Sequence, residues 1–119
     1  MRIGTLISKD SGSTLATVHR CDGVLERMRG LLWRPKLAQG QGLLIAPCNS
    51  VHTIGMRYAI DVVFLNREGR VLKVFPAVKP LRFAAARGAR QVIELAAGEA
   101  ARLGLAPCRM VLWEETLAA

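Results

Sequence analysis

The residues with the most chemistry in them lie together in the middle of the chain. Cys48, His52, Arg57 and Asp61 bring a thiol, an imidazole, a guanidinium and a carboxylate into 14 residues. A thiolate nucleophile needs a base to take its proton, a nearby cation to lower its pKa and a third group to orient the base. On that reading Cys48 is the nucleophile, His52 the base and Asp61 the orienting carboxylate, with Arg57 as the cation. The competing reading is structural, because free cysteines are most often small buried core residues. The four-residue spacing of Cys48 and His52 also suits two metal ligands on a turn. Zinc needs more donors than that, and only Asp61 and Cys108 are in prospect, so no metal site is expected. No cofactor motif is visible either.

Two carboxylates interrupt apolar runs. Asp61 sits inside Ile60–Leu65 and Glu94 inside Val92–Ala96. A carboxylate in such a run must be paired, hydrogen-bonded or protonated. For Asp61 the candidate partners are Arg57, His52, Thr53 and the amides of the 53–57 turn, and an Asp that ties down backbone amides is the favoured reading. Glu94 is expected to pair with Arg34, fixing a helix against a sheet. A groove around His52, Thr53, Met56 and Arg57, with Trp33 and Arg34 at its rim, has the mixture of apolar walls and a few polar groups that small-molecule sites share.

Charge offers a different kind of site. The chain carries a formal charge of +8, and 13 of its 17 basic residues are arginine. Arginine grips carboxylate and phosphate with a two-pronged fork, which lysine cannot do. Between Glu68 and Glu94 there are six cations (Arg70, Lys73, Lys79, Arg82, Arg87 and Arg90) and no carboxylate. The 79–90 loop is therefore the alternative site, for nucleic acid or another anionic surface. Nucleic acid is the less favoured partner, because Phe83 is the loop's sole aromatic and no helix-turn-helix, zinc-finger or RNA-recognition signature is present.

These groups must be positioned by a small fold. At 119 residues and 51% hydrophobic composition the chain makes one domain, 1–119, with a real core. It has no uninterrupted apolar run of 18 residues, so no membrane span is expected. Three widely spaced cysteines without a C-x-x-C pair, and an N-terminus lacking an apolar leader, point to reduced thiols in the cytoplasm.

Ile3–Ser8 and Thr14–His19 read as a first hairpin around a polar turn. Val24, Leu25, Met28, Leu31 and Leu32 fall on one face of a helix that Asp22 would cap and Pro35 would stop. Strands follow at Gly42–Ala46, Ile60–Leu65 and Val71–Val78, the last two joined by a tight turn over Asn66–Arg70 with Gly69 left-handed. Pro80–Gly88 reads as an irregular loop. Gln91–Ala96 is a strand, Gly98–Leu103 a helical turn, and Arg109–Trp113 a closing strand.

The block from Cys48 to Leu65 resembles the domain of unknown function family numbered 192, found in bacteria and archaea. Gly30-Leu31-Leu32-Trp33-Arg34, Glu68-Gly69-Arg70-Val71 and Val92 to Gly98 extend the resemblance, in order, from about Cys21 to Leu112. It implies a small, mainly β fold wrapped as a sandwich-like barrel with one helix near the start, and it implies no particular reaction. The chain departs from the family where it has Val51-His52 in place of an aromatic pair ahead of the methionine.

Taken together, the expectation is a mainly β (α+β) domain. It would be a compact sandwich-like barrel of about seven short strands, with one helix in the N-terminal half and one short helical turn. Its expected function is to bind a small ligand, anions included, or a partner protein around residues 48–61. An enzyme using Cys48 is the alternative.

Overall fold

A computed structural model describes residues 2–21 and 36–116. Nine strands lie within them. They are β1 (Arg2–Ser8), β2 (Thr14–Cys21), β3 (Gln41–Ile45), β4 (Ser50–His52), β5 (Ile60–Leu65), β6 (Val71–Val78), β7 (Phe83–Ala85), β8 (Gln91–Ala96) and β9 (Val111–Glu115). One helical turn, α1 (Glu99–Arg102), precedes β9. The helix expected between Asp22 and Pro35 lies outside the described residues. No helix among the described residues is long and apolar enough to cross a membrane.

Seven strands form one mixed sheet in the order β6-β5-β8-β3-β2-β1-β9, and β4 pairs with β7 in a separate ribbon. β2 and β3 run parallel, while the other pairings in both sheets are antiparallel. The main sheet is not closed into a barrel. Its edge strands, β6 and β9, touch at one corner through a bridge between Arg70 and Met110. There the Val71 amide donates to the Arg109 carbonyl at 2.8 Å and the Val111 amide donates to the Gly69 carbonyl at 2.9 Å. Gly69 takes φ +92°, and a Cβ on it would run into the Val111 carbonyl. The turn therefore needs glycine both for its left-handed backbone and for the close approach of the two edges.

The central strands are buried on both faces, which is why they read as nearly continuous apolar runs. Alternation along β3, β5 and β8 sends Leu44, Val63, Leu65, Ile93 and Leu95 into one core, completed by Leu6, Val18, Val71, Val111 and Ala100 of α1. The opposite residues, Leu43, Ile45, Ile60, Val62, Phe64 and Val92, form a second core with Ala84 of the ribbon. Phe64 meets Phe75 edge to face there, with ring centroids 5.7 Å apart. The ribbon and the chain around it thus act as a cover over the back of the sheet, and the 48–61 segment belongs to this cover.

β7 lies within Pro80–Gly88, expected as an irregular loop, and β4 lies where no strand was assigned. Each is three residues long, too short to show an alternation of period two.

Candidate functional site

The 48–61 segment is held by hydrogen bonds to distant parts of the chain. The Cys48 amide donates to the Arg90 carbonyl at 2.9 Å. The Cys48 thiol, half-buried against the second core, donates to the Ser50 carbonyl at 3.1 Å. Thr53 is buried and stitches the cover together. Its hydroxyl donates to the Lys79 carbonyl at 2.7 Å and accepts from the Arg82 amide at 2.8 Å. Its amide donates to the Arg82 carbonyl, and its own carbonyl accepts from Met56 and Leu81. Met56 packs against the second core, whereas Arg57 is exposed. Trp33 and Arg34, expected at the rim, lie outside the described residues, and so does the expected Glu94–Arg34 pair.

Cys48, His52 and Asp61 are placed in different surroundings. On β4, Val51 packs into the second core, so alternation turns its neighbour His52 outward, opposite Phe83. His52 is exposed. Asp61 lies on the other face of β5, alongside Val63 and Leu65 of the first core. Its Oδ1 accepts from the Ala77 amide and its Oδ2 from the Ala100 amide, both at 2.8 Å. Asp61 thus serves backbone amides, but those of an irregularity in β6 and of α1 instead of the 53–57 turn. Ala77 has φ +48°, and the β5–β6 register shifts between Ile60 and Val62. The carboxylate holds that irregularity and the helical turn against the end of β5.

Glu94 occupies the second face of β8, opposite Val62 on one side and Leu43 on the other. It is buried, and its Oε1 has no hydrogen-bond partner among the described residues. Burial pushes its carboxyl up to about 7 from the ordinary 4.5. The Tyr58 hydroxyl is likewise buried without a full hydrogen bond among the described residues. Burial raises its pKa, the Leu37 backbone opposes the rise, and the Glu94 charge adds to it. The two groups therefore feel each other beneath the cover, with the Lys36 ammonium 5.5 Å from the Tyr58 ring centroid.

A site that no local motif announced opens at the end of the sheet where β5 gives way to the Asn66–Arg70 turn. An open basin of about 390 Å³ is lined by Arg20, Ala46, Pro47, Arg67, Arg90 and Gln91. Its parts come from β2, the chain after β3, the β5–β6 turn and the start of β8. The Ala46–Pro47 peptide on its wall is cis. Gln91 Nε2 donates to the Asn66 carbonyl at 2.9 Å, the Arg90 amide donates to the Leu65 carbonyl at 2.8 Å, and Asn66 Oδ1 accepts from the Glu68 and Arg70 amides. The backbone carrying Arg67 and Arg90 is thereby fixed. A second cavity of about 180 Å³ shares Arg20, Arg67 and Gln91 and reaches inward to Leu6, Leu44, Leu65 and Val111, with Glu68 on its wall. Arg20 also lies over the Trp113 ring, 5.5 Å from its centroid, and the indole donates to the Val18 carbonyl at 2.9 Å. The guanidinium groups of Arg67 and Arg90 on this basin can make bidentate, charge-assisted hydrogen bonds to a carboxylate or phosphate. Among the described residues, no three of His, Cys, Asp and Glu gather in a cluster that could hold a metal ion.

The comparisons with known proteins agree with this architecture. The chain is similar to a protein of unknown function from Novosphingobium aromaticivorans DSM 12444, with a TM-score of 0.78 and 22% identity over 93% of this chain and 84% of that one. It is also similar to a candidate transcription regulator from Sinorhizobium meliloti 1021, with a TM-score of 0.79 and 23% identity over 94% and 92% of the two chains. At such identities the likeness is one of fold alone. No match among curated proteins was found. The model of the family DUF192, described as "Uncharacterized ACR", matches residues 6–113. A match over most of the chain shows membership, so this chain belongs to DUF192.

Proposed function

We propose that this DUF192 member is a binding domain for a small anionic ligand bearing carboxylate or phosphate groups. The ligand sits in the basin of Arg20, Arg67 and Arg90, at the shoulder of the 48–61 segment. The observation that carries this reading is a basin of about 390 Å³ that Arg67 and Arg90 line together with Arg20, with no carboxylate among the described lining residues. That volume is in the range of small-molecule sites. The link to the 48–61 segment is direct, since Arg90 accepts the Cys48 amide through its carbonyl and Pro47 forms part of the basin wall. Binding is favoured over thiol catalysis because the Asp61 oxygens are both engaged by amides and His52 points to solvent.

The test is thermal denaturation and titration calorimetry with inorganic phosphate, pyrophosphate and citrate at constant ionic strength. A ligand that binds the native state stabilises it by about 2.7 kcal/mol at a hundred times its Kd. Arg67→Gln and Arg90→Gln are each expected to weaken binding about tenfold, because charge-assisted hydrogen bonds contribute about 1.5–3 kcal/mol. If none of the three anions stabilises the protein, or if the double variant binds them as well as the parent, the proposal fails.

A further inference from the structure

The cover carries a second surface, independent of the arginine basin. Hydrogen bonds through Thr53 zip residues 52–54 to 81–83: the Thr53 amide donates to the Arg82 carbonyl at 2.8 Å, and the Leu81 amide donates to the Thr53 carbonyl at 3.2 Å. This junction presents Ile54, Leu81 and Phe83 at 58%, 70% and 73% exposure. Leu81 holds φ +65°, a left-handed conformation that glycine or asparagine adopts with less strain. A large apolar side chain is thus placed in solvent at a position whose backbone favours another residue.

Cations frame these side chains. Arg57, Lys79 and Arg82 are exposed neighbours in the same two segments. Residues 46–60 and 69–93 contain no carboxylate at all, and the carboxylates of β5 and β8, Asp61 and Glu94, are buried. A projecting apolar tip with basic flanks is the pattern that inserts into the headgroup region of an anionic bilayer, the apolar groups entering the acyl boundary and the cations meeting lipid phosphates. Nucleic acid fits less well, because single strands bind by stacking on aromatic rings. Here Phe83 is the one ring, and Ile54 and Leu81 would stay in water.

We propose that the Ile54–Leu81–Phe83 tip, flanked by Arg57, Lys79 and Arg82, docks the protein onto an anionic lipid surface. The chain lies on the membrane face without crossing it, and the arginine basin remains a separate site.

Co-sedimentation with vesicles made of equal parts phosphatidylglycerol and phosphatidylcholine, at physiological ionic strength, tests this directly. The protein should bind these vesicles and not pure phosphatidylcholine. The Leu81→Ser/Phe83→Ser double variant should lose at least about tenfold in partitioning, and Lys79→Gln or Arg82→Gln about fivefold each. All four positions are exposed or partly so, and circular dichroism checks that the variants fold. Lys9→Gln and Arg109→Gln, in turns at the β1–β9 end of the sheet, should change binding by less than about twofold. A Phe83→Trp variant should shift its emission to the blue on adding anionic vesicles, relative to the parent protein under the same conditions. Equal losses from tip and distal cations would mean diffuse charge attraction and overturn the proposal. Unchanged binding by the double variant would overturn it too, as would an unshifted emission from the Phe83→Trp variant. If single-stranded DNA bound through the same side chains while vesicles did not, the surface would pass to nucleic acid and the lipid proposal would fail.

Discussion

Replacing Glu94 by Gln should make the protein more stable at neutral and alkaline pH while leaving it nearly unchanged in acid. In the folded state the buried carboxyl titrates at about 7 instead of 4.5. Below 4.5 both states hold the proton, and burial of the neutral acid is already part of the fold. Between 4.5 and about 7 the unfolded chain releases its proton and the folded chain keeps it, so stability falls as pH rises. Above about 7 the folded carboxyl ionises as well and the loss is complete. At about 1.36 kcal/mol per pH unit, the displacement corresponds to about 3 kcal/mol. Gln has the same shape and cannot ionise, so Glu94→Gln should recover about that amount in alkaline buffer. For a domain of this size the gain is about 10 °C in Tm. The assay is urea denaturation of both proteins across the acid to mildly alkaline range, read as the difference between their stability curves. That difference cancels every other titrating group. A constant difference across pH would refute desolvation as the dominant effect. A loss of about 3–5 kcal/mol on the alkaline side would show instead that Glu94 is ionised and paired, as the sequence-based expectation of an Arg34 partner requires.

Two further expectations concern the groups first singled out for chemistry. Asp61→Asn removes one of two acceptors and turns an N–H toward a buried N–H, so it should cost about 2–4 kcal/mol, with hydrogen exchange accelerating at the Ala77 and Ala100 amides before the rest of the sheet. Alkylation should rank the thiols by exposure, Cys108 first, Cys48 next, and Cys21 only on unfolding. A Cys48 that reacts fastest, at a rate titrating below the free-thiol range, would restore the catalytic reading.

Much of the sheet was legible because its signals are local. β5 and β6 flank a turn whose Asn66 caps its own amides and whose Gly69 takes the left-handed backbone, and both features are written in five consecutive residues. The helical turn after Gly98 was legible for the same reason. β4 and β7 were not, since three residues carry no period and their pairing depends on Thr53 reaching across nearly thirty positions. The difference between an open sheet and a barrel was also hidden. It rests on whether β6 and β9 pair along their length or only at the Arg70–Met110 corner, and neither strand's composition encodes that. Asp61 and Glu94 stood out as carboxylates in apolar runs, yet their surroundings diverge: one finds two amides, while the other has an Oε1 with no hydrogen-bond partner among the described residues. The arginine basin could not be read at all, because Arg20, Arg67 and Arg90 become neighbours only through the strand order. An excess of arginine over lysine was its one trace.

The strand order also bears on how the chain assembles. β1–β2 and β5–β6 are hairpins of near neighbours and can close early, at small entropic cost. β8 lies between β5 and β3, so the two halves of the sheet share no ladder until residues 91–96 arrive and supply it. During synthesis both open flanks, at β3 and β5, wait for one late strand whose middle residues are Val92, Ile93, Glu94 and Leu95. The ionisable residue among them keeps that segment from being uniformly apolar while it is still unpaired, which lowers its tendency to join a neighbouring chain. A carboxyl that destabilises the finished sheet at high pH thereby acts as a safeguard during its construction.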